Sequence, residues 1–139
     1  MLSVNCRLVR GEPGYVSQRD MSMKWRQSMR FRMSPNVAVR TERFSDAVSF
    51  YSSVLGFANR SSDPNLGDHD ANPLNLFVIE DDEIHGLVME LFVEDLEEAR
   101  DELLAHGCQV IRWRGKGQDC YIRDPFGVVF NLWEMPRTE

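Results

Sequence analysis

The stretch Leu87-Val88-Met89-Glu90-Leu91-Phe92-Val93, followed by Asp95-Leu96-Glu97-Glu98-Ala99 and closed by Gly107, decides the fold. Its first part is apolar and reads as a strand. Asp95, with Glu98 three residues on, has capping-box spacing, so a helix begins there. Leu96, Ala99, Leu103 and Leu104 form the expected buried stripe, and Gly107 stands at a helix-ending position. Strands are predicted at about 109–114 and 118–123. Asp124-Pro125-Phe126-Gly127 fits a tight turn, with Pro fixing φ at the second position, and Val128 to Glu134 reads as a last strand.

The same order stands upstream. Asn36-Val37-Ala38-Val39-Arg40-Thr41 alternates as a strand does, and Phe44, Ala47, Val48, Tyr51, Val54 and Leu55 recur at helical spacing before Gly56. A strand is expected over Phe57 to Ser61, a turn-rich loop over 62–73, and a strand over Leu74 to Glu80. The halves align at an offset of 52, with Val37 over Met89 and Arg43 over Asp95. The expected fold is α+β, two tandem βαβββ modules (about 36–84 and 86–136) in one domain, forming a curved sheet around a cavity between their free faces.

The chain has 139 residues, 42% of them hydrophobic, enough for a packed core. Its net charge of −6 is unevenly spread. Residues 1–35 hold seven basic and two acidic side chains, and residues 36–139 hold nine and twenty, so an arm of +5 precedes a body of −11. The acidic body argues against nucleic acid as a partner; for the arm that argument does not hold. The arm reads as a basic extension ahead of the domain: disordered, packed on the body, or a start assigned upstream of Met33. No apolar run suits a membrane span or a secretory signal. Cys6, Cys108 and Cys120 are an odd number without CxxC spacing, so reduced thiols and a cytoplasmic location are expected.

Phe50-Tyr51, Val54-Leu55-Gly56-Phe57, Phe92-Val93-Glu94-Asp95-Leu96, Arg123-Asp124-Pro125-Phe126-Gly127 and Val129-Phe130-Asn131-Leu132-Trp133-Glu134 together resemble the vicinal-oxygen-chelate superfamily. That group includes glyoxalase I, extradiol dioxygenases, and fosfomycin- and bleomycin-resistance proteins. The resemblance covers about 36–136 and implies the fold more firmly than any reaction. In the superfamily's metalloenzymes, the ligands are His, Gln or Glu near the start of each half's first strand and Glu on each half's last strand. Transferred by spacing, those positions are Asn36, Val88, Asn131 and about Phe77. Val and Phe cannot ligate, and two neutral amides do not suit Zn, Fe or Ni. No cofactor is therefore expected, a divalent metal being the alternative.

If 36, 88 and 131 face the cavity, alternation brings Ala38, Arg40, Glu90, Phe92, Val129 and Trp133 there, with Asn75 and Ile79 flanking Phe77. Glu90 is a charge amid an apolar strand. It reads either as a pocket carboxylate, binding a cation or acting as catalytic base, or as the structural partner of Arg40. Asn36 and Asn131 are candidate ligand contacts, or bond each other or a water. Phe77, Phe92 and Trp133 form a candidate aromatic wall, or core, and Tyr121 could reach the rim. The expected ligand set is thus Asn36, Arg40, Phe77, Val88, Glu90, Phe92, Tyr121, Asn131 and Trp133.

The spacing of His69, His85 and His106 matches no metal motif, and surface or capping roles are expected. Glu80-Asp81-Asp82-Glu83 is expected to be a solvated hairpin end, or a rim that attracts cations. The functional expectation is a metal-free binding module for a small, partly aromatic, neutral or cationic molecule, as in the resistance branch. The rival is a glyoxalase- or dioxygenase-type lyase, isomerase or dioxygenase built around Glu90, with ligands such as His69 or Glu134 if it holds metal. A regulatory partner with an unused pocket is the third reading. The resemblance also implies a homodimer.

Overall fold

The computed structural model describes residues 31–135. Among them seven strands form one curved mixed sheet: β1 (Phe31–Thr41), β2 (Leu66–Ala71), β3 (Leu74–Glu80), β4 (Gly86–Val93), β5 (Gln109–Trp113), β6 (Cys120–Arg123) and β7 (Val129–Glu134). Their order is β2-β3-β1-β4-β7-β6-β5. Helix α1 (Phe44–Ser49) runs directly into a π-helical turn, Phe50–Val54, and helix α2 (Leu96–Ala105) serves the second half. The sheet does not close into a barrel.

The repeat read from the sequence is built into the register. β1 and β4 join the modules antiparallel, with Val37 facing Met89 and Ala38 facing Val88. Residues related by the 52-residue offset therefore meet at the Val37–Met89 pair, which marks the pseudo-two-fold axis. Each module pairs its first strand in parallel with its last: β1 with β3, where Ala38 faces Phe77, and β4 with β7, where Glu90 faces Asn131. One face of the sheet carries the helices. Under α2, Leu96 and Ala99 pack with Val93, Cys120, Ile122 and Leu132.

Local signals explain the ends of these elements. Asp95 Oδ1 accepts from the Glu98 backbone N–H at 2.9 Å, satisfying one of the orphan donors of α2. Gly107, at φ 90°, lets the chain reverse after the helix. In the 124–127 turn, Asp124 Oδ1 accepts from the N–H groups of Phe126 and Val128, and Gly127 takes φ 94°.

Four expectations are corrected. Residues 66–71, expected within a loop, are strand β2: pairing with β3 overrides their turn-like composition. Phe57 to Ser61 makes only a single bridge, Asn59 to His69, a remnant of the outer strand that β5 supplies in the second module. β1 starts at Phe31, ahead of the alternation at Asn36, because a register shift between Met33 and Val37 absorbs Ser34 and Pro35. Val54, Leu55 and Leu104 are exposed. The π turn shifts the helical phase after Phe50, rotating Val54 and Leu55 away from the sheet. The rest of the arm, 1–30, and Cys6 with it, lies outside the described residues.

Candidate functional site

Strand alternation lines polar residues up on the face opposite the helices. Asp70, Asn75, Asn36, Glu90, Asn131, Tyr121 and Arg112 stand side by side across all seven strands. Much of this row is linked by side-chain hydrogen bonds. Arg60 donates to Asn75 Oδ1 at 3.0 Å, and Asn75 Nδ2 donates to Asn36 Oδ1 at 2.9 Å. Asn36 Nδ2 then donates to Glu90 Oε1 at 3.2 Å. On the far side of Glu90, Asn131 Oδ1 accepts from the Cys120 backbone N–H at 3.0 Å.

Above the row lies a cavity of about 230 Å³, lined by Asn36, Val37, Ala38, Arg40, Phe77, Ile79, Val88, Met89, Glu90, Asp119, Tyr121 and Asn131. Val88 and Tyr121 of this lining form a small apolar cluster with Val129, and Ala38, Ile84 and Ile111 pack against them.

An ion cluster adjoins the cavity, which two of its members, Arg40 and Asp119, line. Arg112 grips Asp81 with both terminal nitrogens, at 2.7 and 3.2 Å, and Arg40 reaches the same carboxylate at 3.0 Å. Both guanidiniums also meet Asp119 at 3.2 Å, and Arg112 meets Glu83 at 3.4 Å. The backbone N–H groups of Glu83 and Ile84 each donate to Asp81 Oδ1 at 2.9 Å. The hydrogen bonds from Arg112 hold the Asp81 carboxyl far below the usual carboxylate range, against the burial that would raise it. The same bonds push Arg112 upward.

Arg40 Nε donates to Tyr121 Oη at 2.7 Å, and its guanidinium lies over the Tyr121 ring at 5.0 Å. In a flat sheet β1 and β6 would stand roughly 14 Å apart, so this bond measures how far the sheet curls. Burial raises the Tyr121 phenol above its ordinary value, while the Arg40 charge opposes the rise. The hydroxyl is therefore neutral at neutral pH and keeps its own proton to donate.

Seven of the expected site residues, Asn36, Arg40, Phe77, Val88, Glu90, Tyr121 and Asn131, meet around the cavity. Phe92 and Trp133 do not line it. They are register neighbours toward the far end of the sheet, where Arg32 stacks over Phe92 at 5.3 Å. Arg40 is not the partner of Glu90: it serves Asp81, Asp119 and Tyr121. Glu90 is left with the Asn36 bond and no cation among the described residues. Asn36 and Asn131 bond Asn75 and Cys120, not each other.

Two further expectations change. Asp81 is no solvated hairpin residue; it is buried and is the hub of the ion cluster. The only sequence signal was Arg40 itself, a strand cation in need of an acid. His69 is not a surface histidine. Strand β2 turns it to the helix side, fully buried, with Nε2 3.1 Å from Ser52 Oγ and Nδ1 without a partner among the described residues. Glu134 also faces away from the cavity and pairs with Lys116 at 3.1 Å. Neither converges with Glu90.

The Glyoxalase-like domain model matches residues 36–133, so the chain belongs to that family, within the glyoxalase/bleomycin resistance/dioxygenase superfamily. No curated protein matches the sequence. Solved structures do resemble the fold. A hypothetical protein of Bacillus halodurans C-125 aligns over 80% of this chain and 99% of its own, at 15% identity and TM-score 0.53. A glyoxalase/bleomycin resistance protein/dioxygenase superfamily member of Vibrio splendidus 12B01 aligns over 76% and 99%, at 14% identity and TM-score 0.52. An extradiol ring-cleaving dioxygenase of B. fuscum aligns over 78% of this chain but 34% of its own, at 19% identity and TM-score 0.51. At such identities the likeness is one of fold.

Proposed function

We propose that the protein is a metal-free binder of a small, partly aromatic, neutral or cationic molecule, held in the cavity at the module junction. One observation carries the reading: Glu90 sits in the cavity wall with a single hydrogen bond, while the nearby Arg40 is committed elsewhere. A half-buried carboxylate with one oxygen uncommitted favours a donor-bearing or cationic guest. The volume, about 230 Å³, suits one ring and is below the usual span for drug-sized ligands.

A transition metal does not fit the inherited positions. Phe77 and Val88 offer no donor atom. The amide oxygens of Asn36 and Asn131 already accept hydrogen bonds from Asn75 and Cys120. The test is metal analysis of the purified chain together with a thermal-shift screen of single-ring compounds. The expected result is no stoichiometric Zn, Ni or Fe and at least one stabilising compound, a ligand at a hundred times its Kd adding about 2.7 kcal/mol. Stoichiometric metal, or a screen without a single shift, overturns the reading. A homodimer in the cytoplasm belongs to the same proposal, and sedimentation tests the dimer.

A second reading rests on the neutral Tyr121 hydroxyl, which lines the same cavity as Glu90. A carboxylate base and a phenol donor could together move a proton beside a carbonyl, as a metal-free lyase or isomerase requires. Glu90→Gln should then abolish turnover while leaving the melting temperature in place.

A further inference from the structure

We infer that the cavity selects a single-ring ligand presenting an N–H donor beside a carbonyl oxygen, a cyclic amide or lactam-type heterocycle. The inference rests on the small-molecule-binding reading above and adds the chemical class of the ligand.

The argument starts from groups whose polarity cannot be reversed. A guanidinium only donates, so Arg60 fixes Asn75 with its oxygen toward Arg60 and its N–H₂ toward Asn36. Asn36 must then present its oxygen to Asn75 and its N–H₂ to Glu90 Oε1. Arg60 is itself held by Asp68 at 2.9 Å. This relay leaves Glu90 Oε2 as an uncommitted acceptor. On the other side, a backbone N–H also only donates, so Cys120 fixes Asn131 with its oxygen turned inward. That leaves Asn131 Nδ2 as an uncommitted donor. Neither atom has a hydrogen-bond partner among the described residues.

Glu90 and Asn131 face each other across the parallel β4·β7 ladder, with strands about 4.8 Å apart. The two atoms therefore offer one acceptor and one donor side by side at the cavity wall. Their complement is a donor next to an acceptor: the N–H and C=O of a cis amide held in a ring. Phe77, Ala38, Ile79 and Val88 supply apolar flanks for the ring, and about 230 Å³ admits one ring. A simple ammonium would satisfy Glu90 but offer no acceptor to the Asn131 N–H₂, so it makes one complementary hydrogen bond fewer than a lactam.

The test is calorimetric titration of the full chain with three single-ring lactams: 2-pyridone, 4(3H)-pyrimidinone and δ-valerolactam. N-methyl-2-pyridone and benzylammonium are the comparison probes. At least one lactam should bind, and the N-methyl compound should bind about tenfold or more weakly than 2-pyridone, because it lacks the N–H that Glu90 accepts. Two variants invert the pattern while keeping the internal bonds. In Glu90→Gln the oxygen must accept from Asn36, so the new amide N–H₂ becomes a second donor. In Asn131→Asp one oxygen still accepts from Cys120, so the other becomes a second acceptor. Each should cost lactam binding about tenfold or more with an unchanged urea midpoint, and Asn131→Asp should gain affinity for benzamidinium, which presents two donors. Equal binding of 2-pyridone and its N-methyl form overturns the inference on the wild-type chain alone, whether or not the variants fold. Binding of benzylammonium without any lactam also overturns it but leaves the small-molecule reading standing. If no probe binds, the inference falls, and the small-molecule reading falls with it only when the single-ring thermal-shift screen is also silent.

Discussion

Replacing Asp81 with Asn tests whether the ion cluster beside the cavity stabilises the fold. The substitution keeps size and shape and removes the charge. Oδ1 carries the two backbone bonds from Glu83 and Ile84, which an amide oxygen can retain. Oδ2 accepts from Arg40 at 3.0 Å and Arg112 at 2.7 Å, and an amide N–H₂ there would face two donors. Two charge-assisted bonds at about 1.5–3 kcal/mol each give a loss of roughly 3–6 kcal/mol, consistent with about 3–5 kcal/mol for breaking a buried pair. The side chains concerned are 4% (Asp81), 8% (Arg40) and 11% (Arg112) exposed, so water restores little. Urea unfolding at neutral pH reads the loss from the midpoint at constant slope. The Arg43–Asp46 pair, at 80% and 69% exposure, is the comparator, and Asp46→Asn should cost under about 1 kcal/mol. The pH dependence follows from the sign of the shift. Asp81 is depressed in the folded state below its ordinary 3.8, so its contribution is complete above that value and is lost as pH falls below it. Wild-type stability should therefore drop steeply below about pH 4, and Asp81→Asn should flatten that segment. A loss under about 1 kcal/mol, the figure for an exposed pair, would refute the reasoning.

Three further outcomes are expected. Gly67→Ala should destabilise by about 1–3 kcal/mol in urea melts, because a Cβ there would stand 2.9 Å from His69 Cε1 and 3.0 Å from Val78 Cβ. Asp95→Ala should cost about 1 kcal/mol by the same measurement, through loss of the α2 cap. Burial raises the thiols of Cys108 and Cys120, so iodoacetamide at neutral pH should modify both in the native protein at least about tenfold more slowly than in urea, as mass spectrometry of their peptides would show.

Legibility followed the range of the interactions. The 52-residue repeat, the Asp95 cap, the 124–127 turn and most strands rest on neighbours within a few residues, and all were readable. The site was readable as far as strand alternation extends: Asn36, Val88, Glu90 and Asn131 share one face because side chains alternate, whatever the fold does elsewhere. Strand β2 was not readable. Its Leu66 to Ala71 segment is polar and turn-like, and is a strand because β3 pairs with it. The buried roles of His69 and Asp81 were hidden for the same reason, since each is set by partners far along the chain.

The sequence by itself determined the module, its duplication and the face on which the polar residues lie. Only the tertiary structure decided how those residues are used. It assigned Arg40 to Asp81, Asp119 and Tyr121, gave Glu90 to Asn36, and removed Phe92 and Trp133 from the cavity. The physical reason is that alternation fixes a side chain's direction, a local property of the backbone. The choice of partner depends on the curl of the sheet, which brings β1 and β6 together across a gap no local pattern records.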